Sequence, residues 1–159
     1  MLKIKIGMVI AAFALSLPMM AQASENVVTG GYVHTSTNGN SLNGFNAKYG
    51  YTPDHSDLGM MTSLTVSAKK DNDIDRGYGS ALVGASYRIS DLVKPYVMMG
   101  VGRGAVKADG DTNTSTGFAY GAGIQLTPIS GFTIDAGYEG SRVFGSQANS
   151  VVVGAGWTF

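Results

Sequence analysis

Apolar residues alternate with small or polar ones, with a period of two, through most of the chain. Val151, Val153, Ala155, Trp157 and Phe159 share one parity; Ser150, Val152, Gly154, Gly156 and Thr158 share the other. That period belongs to a strand with two unlike faces. It recurs in Ala81, Val83, Ala85, Tyr87 and Ile89, in Phe118, Tyr120, Ala122, Ile124 and Leu126, and in Phe132, Ile134, Ala136 and Tyr138. Phe45, Ala47, Tyr49 and Tyr51 repeat it, as do Leu58, Met60, Leu64, Val66 and Ala68. Val97, Met99 and Val101 oppose Tyr96, Met98 and the glycines 100, 102 and 104. The first strand, near Val27 to Thr35, shows Val28 and Tyr32 on one face. The pattern predicts eight strands of about ten residues, the length that crosses a bilayer when tilted.

The connections fall into two predicted kinds. Residues 52–57, 90–91 and 128–131 are compact and rich in Pro, Gly, Asp and Ser. Residues 36–41, 70–77, 108–115 and 144–149 are polar and read as longer loops. Such alternation suits an outer-membrane barrel, with short turns toward the periplasm and longer loops outside.

Composition turns the strands toward lipid. Only 14% of residues are charged, where soluble domains carry about a quarter. An eight-stranded barrel has an interior just wide enough for side chains, so the bulky aromatic face must point outward into an apolar medium. A soluble lipocalin-like barrel or sandwich would expose that aromatic face to water, which soluble monomers avoid. The fold expected is all-β: an eight-stranded antiparallel up-and-down transmembrane β-barrel. Lys48, Arg88, Asp135 and Glu139 then fall on the inward face. They are expected to form a structural lumen network of paired charges, since an isolated buried charge is very costly. A filled lumen disfavours a channel.

The first residues carry a different signal. Lys3 and Lys5 precede an apolar run from Ile6 to Leu17, and Ala21-Gln22-Ala23 fits a small-x-small cleavage site. Residues 1–23 are expected to be a cleaved signal peptide and residues 24–159 the barrel domain. Lys plus Arg balance Asp plus Glu at 11 each, which gives no reason to expect nucleic acid. Cys is absent, so no disulfide framework applies.

Little in the chain suggests chemistry. Asp71-Asn72-Asp73-Ile74-Asp75 echoes the start of a calcium loop, but Arg76 and Leu82 stand where Gly and Glu are needed. Gly100, Gly102 and Gly104 lie in an alternating strand with no helix after them, so close packing explains them better than a phosphate loop. His34 and His55 lack metal spacing, and no serine sits in a nucleophile elbow. No catalytic, metal or cofactor-binding residue is expected. Arg103 has outward parity; it either meets lipopolysaccharide phosphate at the rim or is turned inward by a bulge.

Several segments taken in order carry a family likeness. Val28-Thr29-Gly30-Gly31-Tyr32, Gly44-Phe45-Asn46-Ala47-Lys48-Tyr49, Tyr87-Arg88-Ile89-Ser90-Asp91, Gly100-Val101-Gly102, Tyr120-Gly121-Ala122-Gly123 and Tyr138-Glu139-Gly140-Ser141-Arg142 resemble successive strands of the Ail/Lom and OmpX family of enterobacterial outer-membrane proteins. The resemblance implies a barrel without an open pore in the cell outer membrane. It also implies surface roles in adhesion, invasion and serum resistance, acting through external loops. It further implies that the terminal aromatics Trp157 and Phe159 are a signal read by the barrel-assembly machinery. The loops around Lys70 to Gly77 and Lys107 to Ser115 look shorter than in typical members, and prophage Lom-like proteins share the plan.

The expected function is that of a non-enzymatic surface barrel touching host-cell or matrix proteins, with outer-membrane lipid and lipopolysaccharide around it. The expected contact surface is Lys69, Lys70, Asp71, Asp73, Asp75, Arg76, Lys107, Asp109 and Asp111. The alternative is a structural or envelope-stress barrel with no dedicated ligand.

Overall fold

A computed structural model describes residues 24–37 and 39–159. The leader expected over residues 1–23 lies outside the described residues. The strands are β1 (Ser24–Thr37), β2 (Asn40–Pro53), β3 (Leu58–Asp71), β4 (Ile74–Tyr87), β5 (Val93–Ala108), β6 (Asp111–Ile129), β7 (Phe132–Val143) and β8 (Ser146–Thr158). Each pairs antiparallel with its sequence neighbours, and β8 pairs with β1, so the sheet closes into the eight-stranded barrel that the alternation predicts.

Closure is completed at the terminal strand. The Phe159 N–H donates to the Asn26 carbonyl and the Asn26 N–H to the Phe159 carbonyl, each at 2.8 Å. A closed sheet pairs its own backbone, which is the condition for crossing hydrocarbon with strands. Parity holds around the barrel: Phe45 is 73% exposed, and Met60, Val97, Phe118 and Trp157 also face outward. Inside, Met61, Leu82, Tyr96, Met98 and Ala119 pack together. Near the hairpin end, Leu42, Tyr78, Val143 and Ala148 form a second cluster.

The longer loops expected at one end are not there. β3–β4, β5–β6 and β7–β8 turn in two residues each, at 72–73, 109–110 and 144–145. The strands simply continue: Asp71 pairs with Ile74, Ala108 with Asp111 and Val143 with Ser146. The polar composition there reports solvent on both faces, not irregular backbone. The threonines 112, 114 and 116 retain the strand preference of β-branched residues without an apolar partner face. At the termini end, the turns expected to be compact are compact, spanning 54–57, 88–92 and 130–131.

The hairpin end is uneven. β6 pairs with β5 along Asp111 to Leu126 but with β7 only from Ala119 onward. Gly117 still lies against the Arg142 carbonyl. The stretch from Asp111 to Thr116 therefore has a ladder on one side only. β3, β4, β5 and β6 rise together there as a small sheet.

Candidate functional site

Two regions gather polar side chains: the middle of the lumen and the sheet at the hairpin end. In the lumen, Lys48, Asp135 and Glu139 are 3%, 0% and 2% exposed. The Lys48 ammonium lies 3.1 Å from Asp135 Oδ1 and donates to Asn46 Oδ1 at 2.7 Å. Tyr96 donates to Asp135 Oδ1 at 2.9 Å, and Gln125 Nε2 to Oδ2 at 3.0 Å. The same ammonium stands 5.7 Å from the Tyr96 ring centre. Glu139 is held differently. Ser63 donates to Oε1 at 3.1 Å, while Thr65 and Ser80 donate to Oε2 at 2.9 and 3.0 Å. Hydroxyls, not a cation, satisfy this carboxylate.

Arg88 does not join that network, contrary to the sequence expectation. It follows the last residue of β4 and pairs with Glu25 at 2.8 Å. Lys94 contacts the other oxygen of the same carboxylate. Arg88 shares the inward parity of the lumen charges, but its strand has run out, so it reaches the rim of the termini end. Sequence reasoning also missed most partners of the lumen charges. Asn46, Ser63, Thr65, Ser80, Tyr96 and Gln125 come from β2 to β6, and only the shared inward parity could have pointed to them.

At the hairpin end the ladder brings the predicted surface residues together. Lys69 faces Arg76 and Lys70 faces Asp75 across β3 and β4; Asp75 faces Lys107 across β4 and β5. Lys70, Asp75 and Lys107 thus make a row of alternating charge on the outward face, which stabilises the sheet modestly. Lys69 stands 4.0 Å from Asp71. Asp111 is exposed beside its turn, while Asp73 and Asp109 sit in theirs, Asp109 at φ 51°. Arg103 is exposed on the outward face and donates to Thr114 Oγ1 at 3.4 Å. β5 carries no register break there, so the inward alternative is excluded. Trp157 and Phe159 face outward at the termini end.

His34 sits on the exterior of β1 with Nδ1 2.9 Å from Asn43 Oδ1. His55 occupies a turn at φ 61°. Among the described residues, no three of His, Cys, Asp and Glu are placed to hold a metal ion.

Comparisons with known proteins agree with this geometry. The family described as outer membrane protein beta-barrel domain matches residues 9–159. Outer membrane protein X of Enterobacter cloacae is 34% identical over 152 residues, covering 87% of this chain and 88% of that protein. The attachment invasion locus protein of Yersinia enterocolitica is 32% identical over 169 residues, covering 94% of each. The crystal structure of Ail, the attachment invasion locus protein of Yersinia pestis, superposes with a TM-score of 0.78 at 29% identity. It covers 87% of this chain and 100% of that one, and a second structure holds that protein with the heparin analogue sucrose octasulfate.

Proposed function

Since the chain belongs to the outer membrane protein β-barrel family and is itself an outer-membrane barrel, we propose that it is a non-enzymatic surface protein whose hairpin-end sheet contacts host-cell or matrix proteins. The observation that carries this reading is the free edge of β6 from Asp111 to Thr116. Unpaired strand edges are templates for an added strand. The opposite edge of that sheet, Lys69 to Asp71 of β3, is also unpaired beyond Ala68, but it is three residues long and carries two lysines, which blunt an edge. Lys107, Asp109 and Asp111 lie beside the β6 edge, and Lys69, Lys70, Asp71, Asp73, Asp75 and Arg76 occupy the β3–β4 side of the same sheet; together they would set its charge preference. Four cations stand there against five carboxylates. That balance favours a protein strand over a sulfated polysaccharide of the kind bound to the Yersinia pestis relative.

Adhesion and serum survival of a deletion strain test the proposal. Complementation should restore both, whereas complementation with Thr112→Lys/Thr114→Lys should not, because edge lysines block strand addition. The heat-modifiable band and surface level should be unchanged. If the deletion strain adheres and survives like its parent, the reading of a structural barrel without a dedicated ligand stands instead. The two-residue turns, which leave little loop for recognition, favour that second reading.

Further partners follow from position. Arg103 and Arg142 face outward near the hairpin end: Arg103 lies two residues beyond Val101, the cross-strand partner of Phe118, and Arg142 lines a surface hollow with Phe118 and Tyr120. There their guanidinium groups would take lipopolysaccharide phosphates. Residues 1–23 would direct export and be removed before Ser24, which N-terminal sequencing of the outer-membrane form would check. Trp157 and Phe159 would be read by the barrel-assembly machinery. Deleting Phe159 is expected to lower the folded outer-membrane level severalfold and leave periplasmic export intact, as measured by fractionation and immunoblotting.

A further inference from the structure

The mouth of the barrel at the hairpin end holds a cavity of about 200 Å³. Its floor is the buried cluster of Leu42, Tyr78, Val143 and Ala148. Phe144 and Arg76 line it higher up. Three features set it apart from an ordinary dip between hairpins.

Phe144 holds a backbone conformation that suits Asn, Asp or Gly. It turns at φ 51° before Gly145 at φ 69°, and a bulky residue there is an outlier that needs a reason. The corresponding turn between β5 and β6 uses Asp109 and Gly110, the relaxed choice. Gly104, in turn, leaves room for the aromatic ring. A Cβ on Gly104 would lie 2.9 Å from Phe144 Cε2. The ring is thus seated over the mouth, yet it remains 44% exposed.

The third feature is charge. Among the described residues, the Arg76 guanidinium has no carboxylate within ion-pair distance and no hydrogen-bond partner. Its cross-strand neighbour Lys69 has Asp71 beside it. A half-buried guanidinium above an apolar seat is complementary to a ligand with a carboxylate and a compact apolar body. The size fits a single ring, since an apolar cavity of about 150 Å³ accepts benzene.

We propose that this vestibule binds a small amphipathic carboxylate, with its apolar body against Leu42, Val143 and Phe144 and its carboxylate on Arg76. The site adjoins the β6 edge, since the Phe144 N–H donates to Ser115 Oγ at 2.9 Å, but the ligand contacts named here lie inside the mouth and use no added strand.

The test uses the outer-membrane form of the protein in phospholipid nanodiscs, titrated with phenylacetate and followed by NMR. Saturable shifts are expected at Leu42, Tyr78 and Val143, with Kd on the order of 1 mM. Arg76→Gln should weaken binding about tenfold, as loss of a charge-assisted hydrogen bond does. Phenylacetamide should bind about tenfold more weakly than phenylacetate for the same reason. Phe144→Asn should also weaken binding while keeping the hairpin folded, because Asn suits that turn. Non-saturating shifts spread over the outward face would mean bilayer partitioning and would overturn the proposal. So would unchanged affinity in Arg76→Gln. Equally tight binding of N-acetylphenylalanine amide would assign the vestibule to a neutral side chain of a partner protein instead.

Discussion

Lys48→Met is expected to destabilise the barrel by about 3–5 kcal/mol, the range for removing one partner of a buried ion pair. Asp135 is fully buried, and Lys48 is the only cation within ion-pair distance of it among the described residues. Without that ammonium, the carboxylate keeps two donors, Tyr96 and Gln125. Those bonds place the effect nearer the lower bound. Asn46 Oδ1 also loses its donor. Urea titration in lipid vesicles, read by the fluorescence of the single tryptophan Trp157, measures the loss.

The double substitution Lys48→Met/Asp135→Asn separates charge from shape. The new amide oxygen still accepts from Tyr96. Its amide nitrogen meets Gln125, whose Oε1 is buried without a partner. A half-turn of the Gln125 amide brings that oxygen round to accept. The double variant should therefore recover most of the lost stability. A single-variant loss under about 1 kcal/mol, or a double variant no better than the single, would sink this account of the network.

The strands were legible because lipid and a narrow lumen impose opposite demands on alternate residues. Val151 to Phe159 shows this without help from any other segment. Arg88 was misplaced because parity says which face a residue takes and not how far along the axis it lies. The hairpin-end strands were misread as loops for a related reason. From Asp111 to Thr116 water wets both faces, so the alternation that marks a strand has nothing to sort. The β6 edge was invisible for a deeper cause. It depends on where β7 stops pairing, a relation between two strands that neither sequence contains. The same holds for Glu139, whose donors Ser63, Thr65 and Ser80 are read as generic small residues until the closed sheet faces them inward.

Gly156→Ala is expected to be at least as damaging, through the seam that closes the barrel. A Cβ on Gly156 would stand 1.8 Å from the Val28 carbonyl oxygen and 2.7 Å from the Thr29 Cα. Both atoms are backbone of β1, so no rotamer change relieves the clash and the strand must move. A Cβ on Gly31 or Gly154 would likewise stand 2.6 or 2.8 Å from a carbonyl oxygen across the same seam. The cost should therefore reach or exceed the upper end of the ~1–3 kcal/mol typical of overpacking. Gly30→Ala is the matched control. It lies one strand residue from Thr29 and Gly31, faces outward, and has nothing within 4 Å of a Cβ. It should change stability by less than about 0.5 kcal/mol. The comparison is made on folded fraction in vesicles, from the heat-modified band, together with urea midpoints. Equal midpoints for Gly156→Ala and the parent would show that β1 gives way easily. The physical case is against it. The β1–β8 ladder joins residues at opposite ends of the chain, from Val27 with Thr158 to Thr37 with Ala148, so its closure carries the largest loop entropy of any pair. A seam pushed apart would leave two unpaired strand edges in hydrocarbon, where each unsatisfied group costs several kcal/mol. A small clash at Gly156 is thereby amplified from local strain into failure of the whole barrel to close.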